Sequence, residues 1–247
     1  MSDVNLDHMR RAGFILSKTL EFLTNGFIKP GMSTLDISSK AEEIIRSYEG
    51  ATPAFLNYHG FPGAVCVSVN QQVVHGIPTK ELILKSGDIV SIDGGVIYAG
   101  HYSDACRTIG VGEIEPRLQK LLKVTEESLS KGIEQMQIGN RIGDISHAVQ
   151  KHVERNRFRV SLEFVGHGIG KVLHGPPCVP NYGLPQRGEE IKLGTCLAIE
   201  PVVFDGSPDA MLADDGWTVL SKFDNMSAHF EDTVIATKDG PEIVTRY

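Results

Sequence analysis

The sequence lacks any apolar run that approaches the roughly 20 residues needed to cross a bilayer. Its opening residues, MSDVNLDHMRR, lack the charged and apolar regions of a secretory signal peptide. Basic residues number 24 against 31 acidic ones, and the net charge of -7 gives no overall basic footprint for nucleic acid. These absences predict a cytoplasmic protein with no membrane segment and no specific nucleic-acid partner.

Cysteine is also scarce, and the four cysteines form no CxxC spacing of the kind that binds metals or catalyses redox exchange. Without a secretory signal they indicate free thiols in a reducing compartment, not a disulfide framework. For each of them, a buried structural role explains the residue better than a role as nucleophile.

Apolar spacing predicts two helices, a strand-rich region, two more helices and a second strand-rich region. The segments that start at Gly31 and Gly139 share Gly, Asp-Ile-Ser and an apolar position at an offset of 108. We therefore predict one α+β domain over residues 1–247, with pseudo-equivalent halves of about 1–113 and 114–247 and a cleft between them. The second strand-rich region is predicted to hold strands at 161–164, 196–204, 216–221 and 227–237.

The stretch VSIDGGVIYAGHYSDACRTIGVG is predicted to form a β-hairpin that carries two acidic residues. A turn centred on Tyr98-Ala99 places Asp93 directly opposite Asp104, where like charges destabilise a sheet. Solvated strands, a shared proton or a cation between the carboxylates could each explain the pair. The apolar flanks argue against solvated strands, and a β-bulge would change the pairing.

Other ionisable residues also lie within apolar, strand-like runs: His167 in EFVGHGIG, Glu200 in CLAIEPVVF and Glu231 in SAHFEDTV. A buried carboxylate without a partner is very costly. Carboxylates and imidazole suit Mn, Fe, Co or Zn, and a carboxylate-bridged pair of such ions is a common hydrolytic centre. A dinuclear metal site in the cleft would therefore explain these residues together with Asp93 and Asp104.

The Asp93 and Asp104 pair, GHGIG, AIEP and FE followed by TV together resemble the catalytic core of the type I methionine aminopeptidases. The segment YHGFPGAVCVSVNQQVVHGIP matches the family's pattern before that core, and the resemblance spans essentially the whole chain. It implies the pita-bread fold and removal of the initiator methionine, before a small second residue, by attack of a metal-bound hydroxide.

The resemblance also implies a role for each matching residue. Two divalent ions (Co, Mn, Fe or Zn) would be held by five ligands, with Asp104 and Glu231 bridging both ions and Glu200 also handling the proton of the attacking water. The catalytic histidines that contact the substrate would be His75 and His174. The remaining implied residues are the ligands Asp93 and His167 and the methionine pocket of Tyr58, Phe61, Cys66 and Trp217. The partners would be peptides with N-terminal methionine and, transiently, the ribosome, and the enzyme would be a monomer.

Four positions depart from the family's usual pattern. The last motif usually reads AQFEHT. Here Asp232 replaces the histidine, which we expect to add negative charge near the site and to change metal preference, and His229 replaces a glutamine that would lie near the cleft. Leu173 replaces an aromatic residue, which would widen the pocket, and Phe55 is large for its region. A prolidase-like peptidase is disfavoured by the missing N-terminal domain. A non-catalytic binding protein of the same fold is disfavoured because all five ligands are present.

Overall fold

The protein is described by a computed structural model that covers residues 4–247. Within these residues four α-helices lie where the apolar stripes predict them: α1 (Leu6–Phe22), α2 (Thr34–Arg46), α3 (Pro116–Ile133) and α4 (Ile142–Arg155). In the same part of the chain, no helix combines the length and the apolar character that a membrane crossing requires.

The helix ends follow from local sequence. Asn5 caps α1 by accepting backbone N–H groups of the first turn, and Ser33 caps α2 in a capping box with Asp36. The π-helical turn at Leu23–Phe27 ends the first helix, where Gly26 adopts a φ of 93° that other residues disfavour.

Short antiparallel strands form the rest of the framework: β1 (Ala51–Pro53), β2 (Cys66–Val69), β3 (Gln72–Val74), β4 (Ile89–Tyr98), β5 (His101–Gly110), β6 (Arg159–Val160), β7 (Gly166–Gly168), β8 (Gly175–Val179), β9 (Cys196–Ile199), β10 (Val202–Phe204), β11 (Ala210–Leu212), β12 (Val219–Ser221), β13 (Ser227–His229), β14 (Asp232–Thr237) and β15 (Gly240–Ile243). The first large sheet has the order β1-β4-β2, with β5 on β4, and the second has the order β15-β14-β9-β7-β8. Two three-stranded sheets, β13-β10-β6 and β11-β12-β3, complete the set found in the described residues. The α+β prediction is confirmed.

Alternation along β4 separates the core from the cleft. Val90, Ile92 and Val96 pack with Leu16 of α1 in one buried apolar cluster. Because successive strand residues point to opposite faces, Asp93 points away from this cluster. The helices thus cover one face of the sheet, and the acidic residues project from the other.

The register of the β4–β5 hairpin differs from the prediction. Asp93 pairs with Cys106, and Asp104 pairs with Gly95. The turn is centred on Ala99-Gly100, whose φ values are 47° and 72°. Positive φ at both central residues is the requirement of the two-residue turn that matches strand twist. The two aspartates are therefore diagonal neighbours. They still lie on the same face of the sheet, because the observed pairing differs from the predicted pairing by two residues, an even number.

The four strands predicted in the second region all differ from the structure: the third is shorter, as β12 begins at Val219, and the fourth is divided into β13 and β14. The segment 161–164 is a turn, because the Ser161 hydroxyl accepts the N–H groups of Glu163 and Phe164 in place of strand partners. The predicted strand 196–204 is interrupted between β9 and β10, since Pro201 has no N–H for a ladder. Glu200 consequently lies at the end of a strand.

The two predicted halves share the way in which their second helices begin. Asp36 accepts the backbone N–H of Ser33 at the start of α2, and Asp144 accepts that of Arg141 at the start of α4. The glycine two residues before Ser33 and its counterpart before Arg141 both have a φ of 92°. The division of the chain into two equivalent halves stays a prediction that these features favour.

Candidate metal centre

The five predicted ligands come from separate strands and meet at one cavity. Asp93 lies on β4, Asp104 on β5 and His167 on β7, whereas Glu200 follows β9 and Glu231 lies between β13 and β14. The cavity has a volume of about 300 Å³. The structure therefore brings together all five residues that the sequence indicates.

Glycines on both sides of His167 allow its strand to fit between its neighbours. A Cβ atom at Gly166 would overlap the Ala198 carbonyl oxygen, and one at Gly168 would overlap that of Pro176. The His167 ring is buried, with Nε2 at 3.5 Å from a Glu200 oxygen. The first two glycines of GHGIG are thus required for packing that fixes this imidazole against the carboxylates.

The ligand atoms form overlapping groups in which all atoms lie within 4.8 Å of one another. One group is Asp93, Asp104 and Glu231, and a second is His167, Glu200 and Glu231. A third contains Asp104 and His167 together with His174, which we predicted as a substrate contact. Asp104, His167 and Glu231 each belong to two groups, and of these three only the two carboxylates have a second oxygen with which to bridge two ions.

The electrostatics of the cavity favour a bound cation. Burial raises the pKa of Asp93 to about 7, and burial followed by neighbouring carboxylates raises the pKa of Asp104, Glu200 and Glu231 well above the usual value. Oxygen atoms of Asp93, Asp104 and Glu231 are buried without a hydrogen-bond partner. Among residues 4–247, no lysine or arginine lines the cavity. The oxygen-rich donor set therefore fits hard or borderline divalent ions.

We predict that the metal-free protein loses stability as pH rises. Because the folded-state pKa of Asp93 is about 7 and its usual value is 3.8, the unfolded chain releases this proton first. The stabilisation is complete below the usual pKa and is lost as pH passes the folded one, on the order of 3 kcal/mol between about pH 5 and pH 8. Urea denaturation of the metal-free protein across this range measures the loss.

Two comparisons control the pH experiment. Saturating Mn or Co should remove the decline, because bound cations stabilise the ionised carboxylates. Asp93→Asn should reduce the decline without metal, because that variant has no proton to release at this site. A metal-free stability that stays level or increases over this range would contradict the prediction.

The two predicted substrate histidines line the same cavity. His75 has a φ of 58°, a strained conformation for a non-glycine residue that surrounding structure must hold in place. Burial is the main cause that lowers the pKa of His75, and the neighbouring His174 is a smaller one. The Nδ1 atom of His174 lies 3.1 Å from the Tyr58 hydroxyl, and its ring packs edge-on against His167 with centroids 4.5 Å apart. Both histidines are thus placed beside the carboxylates, with little tendency to carry charge.

The four residues of the predicted methionine pocket form an apolar part of the cavity wall. Phe61 and Trp217 pack edge to face, with ring centroids 5.2 Å apart. Burial is the main cause that raises the pKa of the Cys66 thiol well above its usual value, and Asp93 is a smaller one. Cys66 therefore contributes a neutral surface. Tyr58 completes the group near His174.

Further cavity residues were not predicted from the sequence: His59, Val74, Glu163, Phe164 and Val165. His59 follows Tyr58 directly in the YHG turn, where it has a φ of 49°. Because Tyr58 was predicted to line the cavity, its sequence neighbour His59 could have been predicted as well. The others lie in turns or strand ends whose approach to the cavity is set by tertiary packing. No periodicity marks them.

The structure corrects the expectation for Asp232. Its carboxylate is completely buried and pairs with Arg107 and Arg246, each at 2.6 Å. Asp232 therefore does not line the cavity. Two guanidinium groups pair with it, but its charge still contributes, after burial, Asp104 and Asp93, to the raised pKa of Glu231. Leu173, Phe55 and His229 do line the cavity, as expected for residues that could alter selectivity.

Comparisons with known proteins agree with this geometry. The sequence model of metallopeptidase family M24 matches residues 7–238. A methionine aminopeptidase of Clostridium perfringens is 49% identical over 97% of this chain and 95% of its own length. The crystal structure of methionine aminopeptidase from Thermotoga maritima matches with a TM-score of 0.95 and 41% identity, covering 98% of this chain and 96% of that one. Prolidase from Pyrococcus furiosus matches 98% of this chain and 64% of its own at 20% identity and a TM-score of 0.77, which indicates a shared fold alone.

The chain belongs to metallopeptidase family M24. The predicted pita-bread fold is confirmed by the likeness to the methionine aminopeptidase structures. The protein is therefore an enzyme that acts on peptide substrates, and its candidate metal ligands are the clustered residues described above.

Proposed function

We propose that this enzyme is a methionine aminopeptidase, which releases N-terminal methionine from polypeptides whose second residue is small. The observation that carries the proposal is the convergence of five acidic and imidazole ligands, two further histidines and an apolar aromatic wall at one cavity. The similarity to methionine aminopeptidases over nearly the full length of both chains supports the same assignment. A prolidase-like activity rests only on the shared fold, and a non-catalytic role would leave the buried carboxylates without a purpose.

Two divalent ions of Co, Mn, Fe or Zn, held by Asp93, Asp104, His167, Glu200 and Glu231, would supply Lewis acidity and a hydroxide near neutral pH. Glu200 lies at the end of β9 with one oxygen 3.5 Å from His167. Its second oxygen lies 3.7 Å from Nε2 of His229, and the residue lines the cavity, where its carboxylate would accept a proton from the attacking water.

The two histidines would act as hydrogen-bond donors to the reacting peptide group. If the Tyr58 hydroxyl donates to Nδ1 of His174, the imidazole proton resides on Nε2, where it can be donated to the oxyanion. Partial burial is the main cause that lowers the pKa of His174, and His59 is a smaller one. The lowered pKa keeps the ring neutral near pH 7. His75, strained and half-buried, would hold the scissile amide.

The aromatic wall explains the preference for methionine. A thioether makes favourable contacts with aromatic ring edges, worth about 0.3–1.5 kcal/mol each. Phe61 and Trp217 offer such edges beside the carboxylates, and the cavity volume of about 300 Å³ limits how large a side chain can enter. A bulky second residue would compete for the same space.

We predict metal-dependent release of methionine from Met-Ala-Ser and much slower release from Met-Leu-Ser. The protein is first stripped of metal and then assayed with added Mn, Fe or Co, with a Pro-containing dipeptide such as Ala-Pro as the prolidase control. Tight metal binding with hydrolysis of Ala-Pro alone would replace the proposed substrate. Failure to bind any of the metals would contradict the enzyme mechanism.

The finer details of this proposal are predictions from the resemblance. They are an ion count of two, a monomeric enzyme, transient contact with the ribosome and a cytoplasmic location. The ion count is supported by the overlap of the groups of close ligand atoms, in which the carboxylates Asp104 and Glu231, like His167, each belong to two groups.

A further inference from the structure

His229 has an unpaired nitrogen directed at the metal-binding carboxylates. The residue is 3% exposed and lines the cavity, and its Nε2 atom has no hydrogen-bond partner. This atom lies 3.7 Å from a Glu200 oxygen and 3.9 Å from a Glu231 oxygen. Both separations are too long for a hydrogen bond, so nothing in the described residues satisfies this buried nitrogen.

The same separations relate His167, a predicted ligand, to its carboxylates. His167 Nε2 lies 3.5 Å from the other Glu200 oxygen and 3.8 Å from Asp104. Two donor atoms that bind one ion at about 2.1 Å are roughly 3–4 Å apart. Glu200 is thus flanked by two imidazoles, one at each oxygen, at distances that suit a cation.

The backbone contacts of His229 match those of another predicted ligand. The Thr233 hydroxyl accepts the N–H of Asp104 at 2.9 Å and donates to the carbonyl of the same residue at 2.8 Å. The Thr108 hydroxyl holds His229 in the same way, with distances of 2.9 Å and 2.7 Å. Between these two clamps, Cys106 and Glu231 exchange backbone hydrogen bonds. These contacts are related by a local two-fold axis that passes between Cys106 and Glu231. The axis relates Thr233 to Thr108, and it places His229 in the position equivalent to that of Asp104.

We propose that His229 is a sixth protein donor to the metal centre, through Nε2, beside Glu200 and Glu231. The proposal rests on the metal-dependent function proposed above and adds a residue to its ligand set. An imidazole in place of an amide increases the nitrogen content of the site, which favours Co, Fe and Zn over Mn. The substitution in the AHFEDT motif thus alters metal selectivity directly, whereas Asp232 faces away.

The test compares the native protein with His229→Gln, which restores the residue usual in the resembling motif, and with His75→Gln. Isothermal titration calorimetry gives the Kd for Co and for Mn, and the visible absorption of bound Co reports its coordination without any activity assay. We expect His229→Gln to weaken Co binding at least tenfold, to weaken Mn binding less and to change the Co spectrum, since loss of supporting groups alone costs about 10–100-fold. His75→Gln should leave both the Kd and the spectrum near those of the native protein.

Each outcome separates this inference from the function on which it rests. A His229→Gln protein with a Co Kd within about twofold of native and an unchanged spectrum overturns the ligand role, even if its activity falls. A native protein that binds no Co overturns both the ligand role and the proposed function. The thermal midpoint of the metal-free variant, together with the Co spectrum of its folded form, distinguishes loss of a ligand from loss of the fold.

Discussion

Replacing Glu231 with glutamine is expected to lower kcat/KM for methionine release by about 10³-fold or more, because the catalytic effect of the ions is worth several kcal/mol. Glutamine preserves the shape of the side chain but removes the charge that the two ions would share. The metal content of the purified protein, measured by atomic absorption, should fall below that of the native enzyme. Release of methionine from Met-Ala-Ser measures the loss of activity.

The same substitution is expected to stabilise the metal-free protein. Burial, followed by Asp104 and Asp93, raises the pKa of Glu231, so its ionised form is unfavourable without a cation. Because glutamine is neutral in both the folded and the unfolded chain, folding no longer has to bury a charge or take up a proton here, so the thermal midpoint of the metal-free protein should rise while activity falls. Glu126→Gln, an exposed change of the same kind on α3, is the matched control and should alter neither property. A Glu231→Gln enzyme that retains more than about a tenth of native kcat/KM would contradict the bridging role.

The candidate ligands could be singled out from the sequence because burial of charge is so costly. Asp93, Glu200 and Glu231 lie within strongly apolar runs, and this local conflict is readable without any knowledge of the fold. Their convergence was not readable from periodicity. It depends on β4, β9 and the β13–β14 junction meeting from distant parts of the chain, and only the family resemblance carried that information.

Where the sequence failed, a backbone detail or a distant partner decided the outcome. The hairpin register depended on positive φ at both Ala99 and Gly100, and Ala99 carries no residue signal for that conformation. The strand predicted at 161–164 was replaced by a turn around the Ser161 hydroxyl. The sequence did not show that the Asp232 carboxylate pairs with Arg107 and Arg246, outside the cavity that its neighbour Glu231 lines.

The largest expected effect on stability follows from these partners. Asp232→His restores the residue usual in the resembling motif, yet we expect it to destabilise this chain by about 3–5 kcal/mol, the cost of breaking a buried ion pair from one side. Its carboxylate binds Arg107, Arg246 and the Thr245 hydroxyl, the last at 2.8 Å. Histidine would leave two guanidinium groups without their carboxylate partner, although Arg107 keeps backbone carbonyl acceptors. Urea denaturation with and without metal measures the change.

A double-mutant cycle identifies the cause of that loss. Arg246→Leu alone removes the more exposed of the two guanidinium groups and should cost less than Asp232→His. In the double variant one of the two unpaired cations is gone, so the combined loss should be smaller than the sum of the single losses by about 0.5–3 kcal/mol. The metal affinity of folded Asp232→His should remain close to native, because the side chain does not line the cavity. Native stability combined with altered metal affinity would instead assign Asp232 to the metal centre and would reverse the correction made from its ion pairs.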